Sequence, residues 1–181
     1  KTKIIVPTDI DIKSKWQRAQ ILSSHCDFDS YEAGRDHYRK TYSKYFEYTG
    51  ISSDLNGISV LEIGCGHFPG VTYCCNSKGA IIVDPIDSVY IEKCTKDFDA
   101  TIVHIREAAE SAEFRNVDEI WIFNVLSHVE DPSKLIEKCK SFARIIRFFE
   151  PINIPKGEST LHSLNLDFFK THFGDCVKHY P

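Results

Sequence analysis

The sequence has no methionine, not even at its first position, Lys1, and so reads as a chain trimmed of its translation start. It also lacks any C-x-x-C pair. The 7 cysteines are an odd number at scattered spacings, which argues against a complete disulfide framework and a zinc knuckle; buried, reduced thiols are expected instead. No His, Cys, Asp and Glu residues cluster with metal-ligand spacing, so no metal is expected. The apolar runs are too short to cross a membrane, and no segment reads as a secretory signal. Nor does one sign of charge dominate: with 22 basic against 26 acidic residues and a net charge of −4, no electrostatic footprint for nucleic acid stands out. These absences point to a cytoplasmic protein with no membrane partner and no evident nucleic-acid partner.

What is present suits one globular domain: 181 residues, 42% apolar and 27% charged. Residues 1–30 show little periodicity and read as an N-terminal extension, with a short apolar run at Ile4-Ile5-Val6 and a short helix from Trp16 to Leu22. Residues 31–181 read as a single domain. From Tyr31 to Tyr48 the pattern is helical, with Tyr38, Tyr42, Tyr45 and Phe46 on one side and a stop at Gly50. That aromatic stripe either packs on the core or forms a lid whose tyrosines also touch a ligand.

The most informative stretch runs from Val60 to Gly70. A nearly continuous apolar run, residues 58–63, is expected for a parallel strand buried on both faces, and it enters a glycine turn, Gly64-Cys65-Gly66, with Glu62 two residues ahead. The glycines let the backbone approach a ligand where a Cβ would obstruct it. A helix from Pro69 to about Ser77, containing the vicinal Cys74-Cys75, is predicted to follow, with its unpaired N–H groups toward the site. The next strand, Ala80 to Val83, ends in Asp84, about 22 residues beyond Glu62. In nucleotide-binding α/β domains an acidic residue there accepts from ribose hydroxyls.

Further on, the pattern predicts a helix over Ser88 to Phe98 and strands over Ala100 to Ile105 and Val117 to Asn124. The connection between those strands holds Glu107, Ala108, Ala109 and Glu110, small enough in part for a flat base to approach. Asp131-Pro132 starts a helix whose apolar face carries Leu135, Ile136, Cys139, Phe142 and Ala143. A strand over Arg144 to Phe149 closes at Glu150-Pro151, and an irregular loop of about 12 residues, 152–163, follows. Leu164 to Phe173 reads as a helix and Cys176 to Tyr180 as a last strand. The alternation predicts an α/β fold: a doubly wound, mostly parallel sheet with helices on both faces and ligands at the carboxyl ends of the strands.

Three of these stretches, Leu61-Glu62-Ile63-Gly64-Cys65-Gly66, Asp84 at the end of the second strand, and Asn124 to Pro132, resemble the class I S-adenosylmethionine-dependent methyltransferases over about residues 31–180. The resemblance implies that Gly64, Cys65 and Gly66 line the methionine part of S-adenosylmethionine, with Glu62 anchoring its amino end directly or through water. It further implies that Asp84 binds the ribose hydroxyls, Ala109 and Glu110 lie beside the adenine, Asn124 and Val125 form the floor near the sulfonium, and Tyr38 covers the cofactor. Two features depart from the family: no glycine lies between Cys139 and Ile145, and the last edge strand of such a sheet is missing.

The implied reaction is methylation of a small polar molecule at oxygen or nitrogen. Candidates for a general base are His128, Glu150 and His162 on the carboxyl-edge loops. Each has a plain alternative: His128 as a packed histidine, His162 as a surface histidine, Glu150 as a group orienting one of them. The competing functions are an inactive, cofactor-binding regulatory partner of the same fold and a nicotinamide-dependent oxidoreductase. The latter is disfavoured because Glu62 precedes the first glycine and the helix begins differently from Gly-x-Gly-x-x-Gly.

Overall fold

Apolar strands separated by turn and cap residues build the molecule, and the computed structural model describes residues 16–20, 28–96, 98 and 100–177 of it. Helix α1 spans Tyr31–Thr49; the Ser30 hydroxyl caps it by accepting from the Ala33 amide, and Gly50 ends it. In chain order there follow β1 (Ser59–Ile63), β2 (Gly79–Val83), α2 (Val89–Thr95), β3 (Ile102–Ile105), β4 (Val117–Phe123), α3 (Pro132–Lys140), β5 (Ala143–Phe149) and α4 (Leu166–Phe173). The strands pair in the order β3-β2-β1-β4-β5, every pair parallel, with Leu61 of β1 level with Ile81 and Ile120 of its neighbours.

Side-chain alternation sends each strand's residues to two cores. Leu61, Ile63, Ile120 and Ile122 pack with Leu135, Ile136 and Cys139 of α3 and Phe169 of α4. Val60, Ile82, Trp121 and Phe123 pack on the opposite face with Tyr42 and Phe46 of α1 and Ile91 of α2. The sheet is thus doubly wound, as expected. The chain builds outward from β1 to β3 and then returns to lay β4 against β1. That reversal opens a crevice above the carboxyl ends of β1 and β4, where open α/β sheets bind their ligands.

The crossover from β1 to β2 differs from the prediction. Instead of a helix from Pro69 to Ser77 there is a four-residue 3-10 turn, Gly70–Tyr73, and Cys75 forms a parallel bridge with Asp54. The cause is steric. A Cβ on Gly70 would lie 2.3 Å from the Tyr42 ring, so α1 already occupies the sheet face that a crossover helix would cover. Asn76, at φ 54°, then turns the chain into β2.

Other differences are smaller. Ala143 begins β5 rather than continuing the helical face, because α3 is capped at Ser141. Asn165 caps α4 from the Phe168 amide, so the helix starts at Leu166 rather than Leu164. Likewise Ser88 caps α2, which ends at Thr95. Of the last predicted strand, Cys176 belongs to a 3-10 turn, Gly174–Cys176, and residues 178–181 lie outside the described residues. Residues 16–20 are helical as expected, whereas Leu22 and Ile4-Ile5-Val6 lie outside the described residues. Among the described residues β5 is an outer strand of the sheet.

Candidate active site at the carboxyl ends of the strands

β1 delivers the chain into the glycine turn at the crevice. Gly64 has φ 68° and a Cβ there would lie 2.5 Å from a Val125 methyl; Gly66 has φ 62° and sits under the Tyr38 hydroxyl. A side chain at either position would be strained, and at Gly64 it would also collide with the loop after β4. The Gly64 amide donates to the Val83 carbonyl (2.9 Å) and the Gly66 amide to Asp84 Oδ2 (2.7 Å), tying the turn to the end of β2. Asp84 Oδ1 accepts from the Ile86 amide (2.9 Å). Burial, opposed by those two amide bonds, pushes the Asp84 carboxyl up to about 6.

A cavity of about 270 Å³ opens above this turn. Gly64, Cys65, Gly66, Asp84 and Ile86 line one side, and Ala108, Ala109 and Glu110 continue it. Asn124, Val125 and His128 form the wall after β4, while Trp16, Tyr38, Thr41, Tyr45 and Phe123 form an aromatic side. Of the residues expected to hold a cofactor, nine therefore share one cavity and Glu62 does not line it.

Glu62 lies beneath the turn, fully buried. Its Oε1 accepts from the Tyr42 hydroxyl and the Gly70 amide (2.8 Å each), and its Oε2 accepts from the Val71 amide (2.9 Å). The amides of the 3-10 turn thus meet a carboxylate of the protein itself. Burial raises the Glu62 carboxyl above its ordinary range, against the pull of the two amides and Tyr42. The Tyr42 phenol is raised well above its own, first by burial and then by Glu62.

Glu110 is in the wall, but its Oε1 accepts from the amides of Glu130 (2.7 Å) and Asp131 (3.3 Å), at the entry to α3. Lys138 holds the same segment from the other side. Its Nζ donates to the carbonyls of Ala109 (2.9 Å), Glu110 (3.2 Å) and Ala112, with the ammonium 4.0 Å from the centre of the Phe114 ring. Sequence reasoning missed Lys138 because its partners are backbone carbonyls, which no side-chain pattern announces.

The three base candidates part company. His128 lines the cavity, and its Nδ1 meets the Ser159 carbonyl. A carbonyl only accepts, so Nδ1 carries a proton, and in the neutral form of the ring Nε2 is the acceptor nitrogen. His162 is elsewhere: its amide donates to the Ser127 carbonyl and its Nε2 to the carbonyls of Val129 (2.9 Å) and Glu130 (3.1 Å). It pins the 152–163 loop over the β4 turn and opens into a separate groove with Lys156 and Phe168. Glu150 Oε1 accepts from the amides of Val125 (2.7 Å) and Leu126 (3.1 Å), shaping the wall without lining it and without bonding either histidine. Its Oε2 is shut from solvent and receives no hydrogen bond from the described residues; burial pushes the carboxyl to about 8.

Asn124 adopts φ 57° with its amide on the Phe149 carbonyl (2.9 Å), a conformation asparagine tolerates better than most residues. Among the described residues no three His, Cys, Asp or Glu side chains group as a metal site. No described helix is long and apolar enough to cross a membrane.

No family model matches the sequence, and no curated protein does. Solved structures do. The chain is similar to 1,6-didemethyltoxoflavin-N1-methyltransferase of Burkholderia thailandensis with bound 1,6-didemethyltoxoflavin and S-adenosylhomocysteine, at 12% identity and TM-score 0.59, over 93% of this chain and 79% of that one. It is similar to the N-methyltransferase NodS of Bradyrhizobium japonicum in complex with S-adenosylhomocysteine, at 15% identity and TM-score 0.50, over 71% and 67% of the two chains. It is also similar to the [4+2]-cyclase SpnF, at 13% identity and TM-score 0.56, over 74% and 54%. The chain therefore has the class I methyltransferase fold. At these identities the likeness shows the fold, and the SpnF likeness illustrates that one fold hosts more than one chemistry.

Proposed function

We propose that the protein is an S-adenosylmethionine-dependent methyltransferase acting on a small polar molecule. The observation that carries this reading is the convergence, in one cavity at the sheet's reversal point, of a glycine turn, Asp84, a small-residue segment and His128. Similar structures that hold S-adenosylhomocysteine support it. When bound, the cofactor supplies an electrophilic methyl group to a nucleophile placed in line with it.

The residues fit such a group. Gly64, Cys65 and Gly66 leave room for its methionine part, Asp84 accepts from its ribose hydroxyls, and Ala109 with Glu110 flanks the adenine. Asn124 and Val125 form the floor and Tyr38 the cover. Glu62 acts indirectly, fixing the amides of Gly70 and Val71 and so the curvature of the turn. His128 takes the proton released by the acceptor, its ring held by the Ser159 carbonyl. Much of the remaining task is alignment and exclusion of water, to which the aromatic side contributes. Free thiols at Cys65, Cys74, Cys75, Cys94 and Cys139 suit a cytoplasmic location.

The test is a metabolite-extract screen with methyl-labelled donor. Label transfer to an extract component supports the reading. Tight donor binding with no transfer across a broad acceptor panel favours the alternative, a non-transferring protein of the same fold.

A further inference from the structure

The charge and ring content of the cavity restrict what can be methylated there. Among the described residues that line it, none is Lys or Arg, while Asp84 and Glu110 contribute carboxylates. Lys138, behind the Ala109 segment, directs its ammonium to three backbone carbonyls. An acceptor bearing a carboxylate or phosphate would meet no Lys or Arg among the described lining residues and would lie near the Asp84 and Glu110 carboxylates, at a desolvation cost.

The aromatic lining has the reverse preference. Tyr45 stacks on Phe123 (ring centroids 5.2 Å apart, planes 28° apart) and packs against Phe149 (5.2 Å), so its ring is held in place; Trp16 and Tyr38 extend the same wall. Ring faces carry negative quadrupole and attract a cation most strongly where water is excluded. Burial and the neighbouring Glu150 raise the Tyr45 phenol above its usual value, so it stays neutral.

Resting on the methyltransferase reading above, we infer that the acceptor is a small molecule that carries a neutral amine, its nitrogen seated against the Tyr45–Phe123 ring wall. The nitrogen lone pair forms the bond to the methyl carbon, and the electron pair of the broken carbon–sulfur bond remains on sulfur. The nitrogen, now four-bonded and positively charged, releases a proton to Nε2 of His128, which passes it to solvent. A hydroxyl acceptor ends uncharged and gains nothing from the rings. An amine acquires its charge during transfer, where the rings stabilise it.

Calorimetric titration of the protein loaded with S-adenosylhomocysteine tests this with benzyltrimethylammonium, benzyl alcohol and phenylacetate. The ammonium should bind about tenfold more tightly than either of the others, the scale of a desolvated cation–ring contact. Tyr45→Leu should remove that preference and Tyr45→Phe should keep it, each measured at saturating S-adenosylhomocysteine. Equal or tighter binding of the alcohol or the anion by the unmutated protein overturns the inference and leaves the methyltransferase reading standing. Failure of S-adenosylhomocysteine itself to bind removes both.

Discussion

Asp84 combines two demands that conflict. It is 2% exposed, and its carboxyl is pushed to about 6, so part of the cost of burying it is visible as protonation. Because the folded value lies above the unfolded one, Asp84's contribution to stability is greatest below the ordinary carboxylate range and is lost as pH rises through about 6. Asp84→Asn keeps an acceptor for only one of the two amides and turns an N–H toward the other; it should flatten the change of thermal stability through about pH 6 while weakening S-adenosylhomocysteine by about 1–3 kcal/mol. Unchanged affinity would remove the ribose role. Glu150 obeys the same sign at a higher pH: its stabilisation declines as pH rises from the carboxylate range through about 8. Glu150→Gln, which retains an acceptor for the Val125 and Leu126 amides, should flatten the loss of thermal stability between pH 7 and 9. At His128 the prediction concerns rate. His128→Gln should lower turnover about 10²–10⁴-fold with donor affinity kept, on the scale of general base catalysis; equal losses in both would make it a packing residue.

At the scale of elements, two ties position the site from a distance. Lys138 of α3 gathers the carbonyls of Ala109, Glu110 and Ala112, which turns this segment into a fixed wall. Lys138→Met keeps the apolar stem but frees those carbonyls; it should weaken S-adenosylhomocysteine at least severalfold, and unchanged affinity would show that the wall holds itself. The second tie joins β5, β4 and α1. Arg147 donates to both Glu119 oxygens (2.7 Å each) and to the Thr49 carbonyl (2.7 Å), and Trp121 Nε1 also donates to Glu119 (2.9 Å). Burial opposes ionisation of Glu119, yet these bonds outweigh it and hold its carboxyl below the usual range. Arg147→Leu leaves a buried carboxylate without its counter-charge, held only by the Trp121 N–H, and should cost about 3–5 kcal/mol in denaturant unfolding. A loss under about 1 kcal/mol would place the pair with ordinary surface bridges.

The same elements mark how far the sequence could be read. Caps were legible because their side chains act locally: Asp131 accepts from the Lys134 amide and Pro132 opens α3 as expected. The missing crossover helix was not legible. Gly70 to Ser77 has ordinary helix signals, and what prevents the helix is Tyr42, 28 residues away in sequence from Gly70 and placed only by tertiary packing. Glu62 illustrates the same limit: its position ahead of the glycines was plain, but its partners Tyr42, Gly70 and Val71 are consequences of that packing.

Over the whole molecule, strand order matters more than any single element. The sheet was legible because Ile58 to Ile63, Ala80 to Val83 and Glu119 to Phe123 are apolar runs separated by segments of crossover length, a pattern that parallel pairing imposes. That order brings Gly64, Asp84, Ala109 and Asn124 to one crevice although they span 61 positions of sequence. Loop destinations were not legible, since nothing in residues 152–163 says that Leu161 and His162 dock on the Ser127 carbonyl. The place of His162 in that loop thus suggests a base, whereas its contacts make it a tether for the loop.

The central claim, that this crevice holds S-adenosylmethionine, is tested most directly by calorimetric titration of the protein with S-adenosylhomocysteine and, separately, with NAD. Saturable binding of S-adenosylhomocysteine at one site, weakened by Asp84→Asn, is expected, with no heat of binding for NAD. Binding of NAD in place of S-adenosylhomocysteine, or of neither, would contradict it.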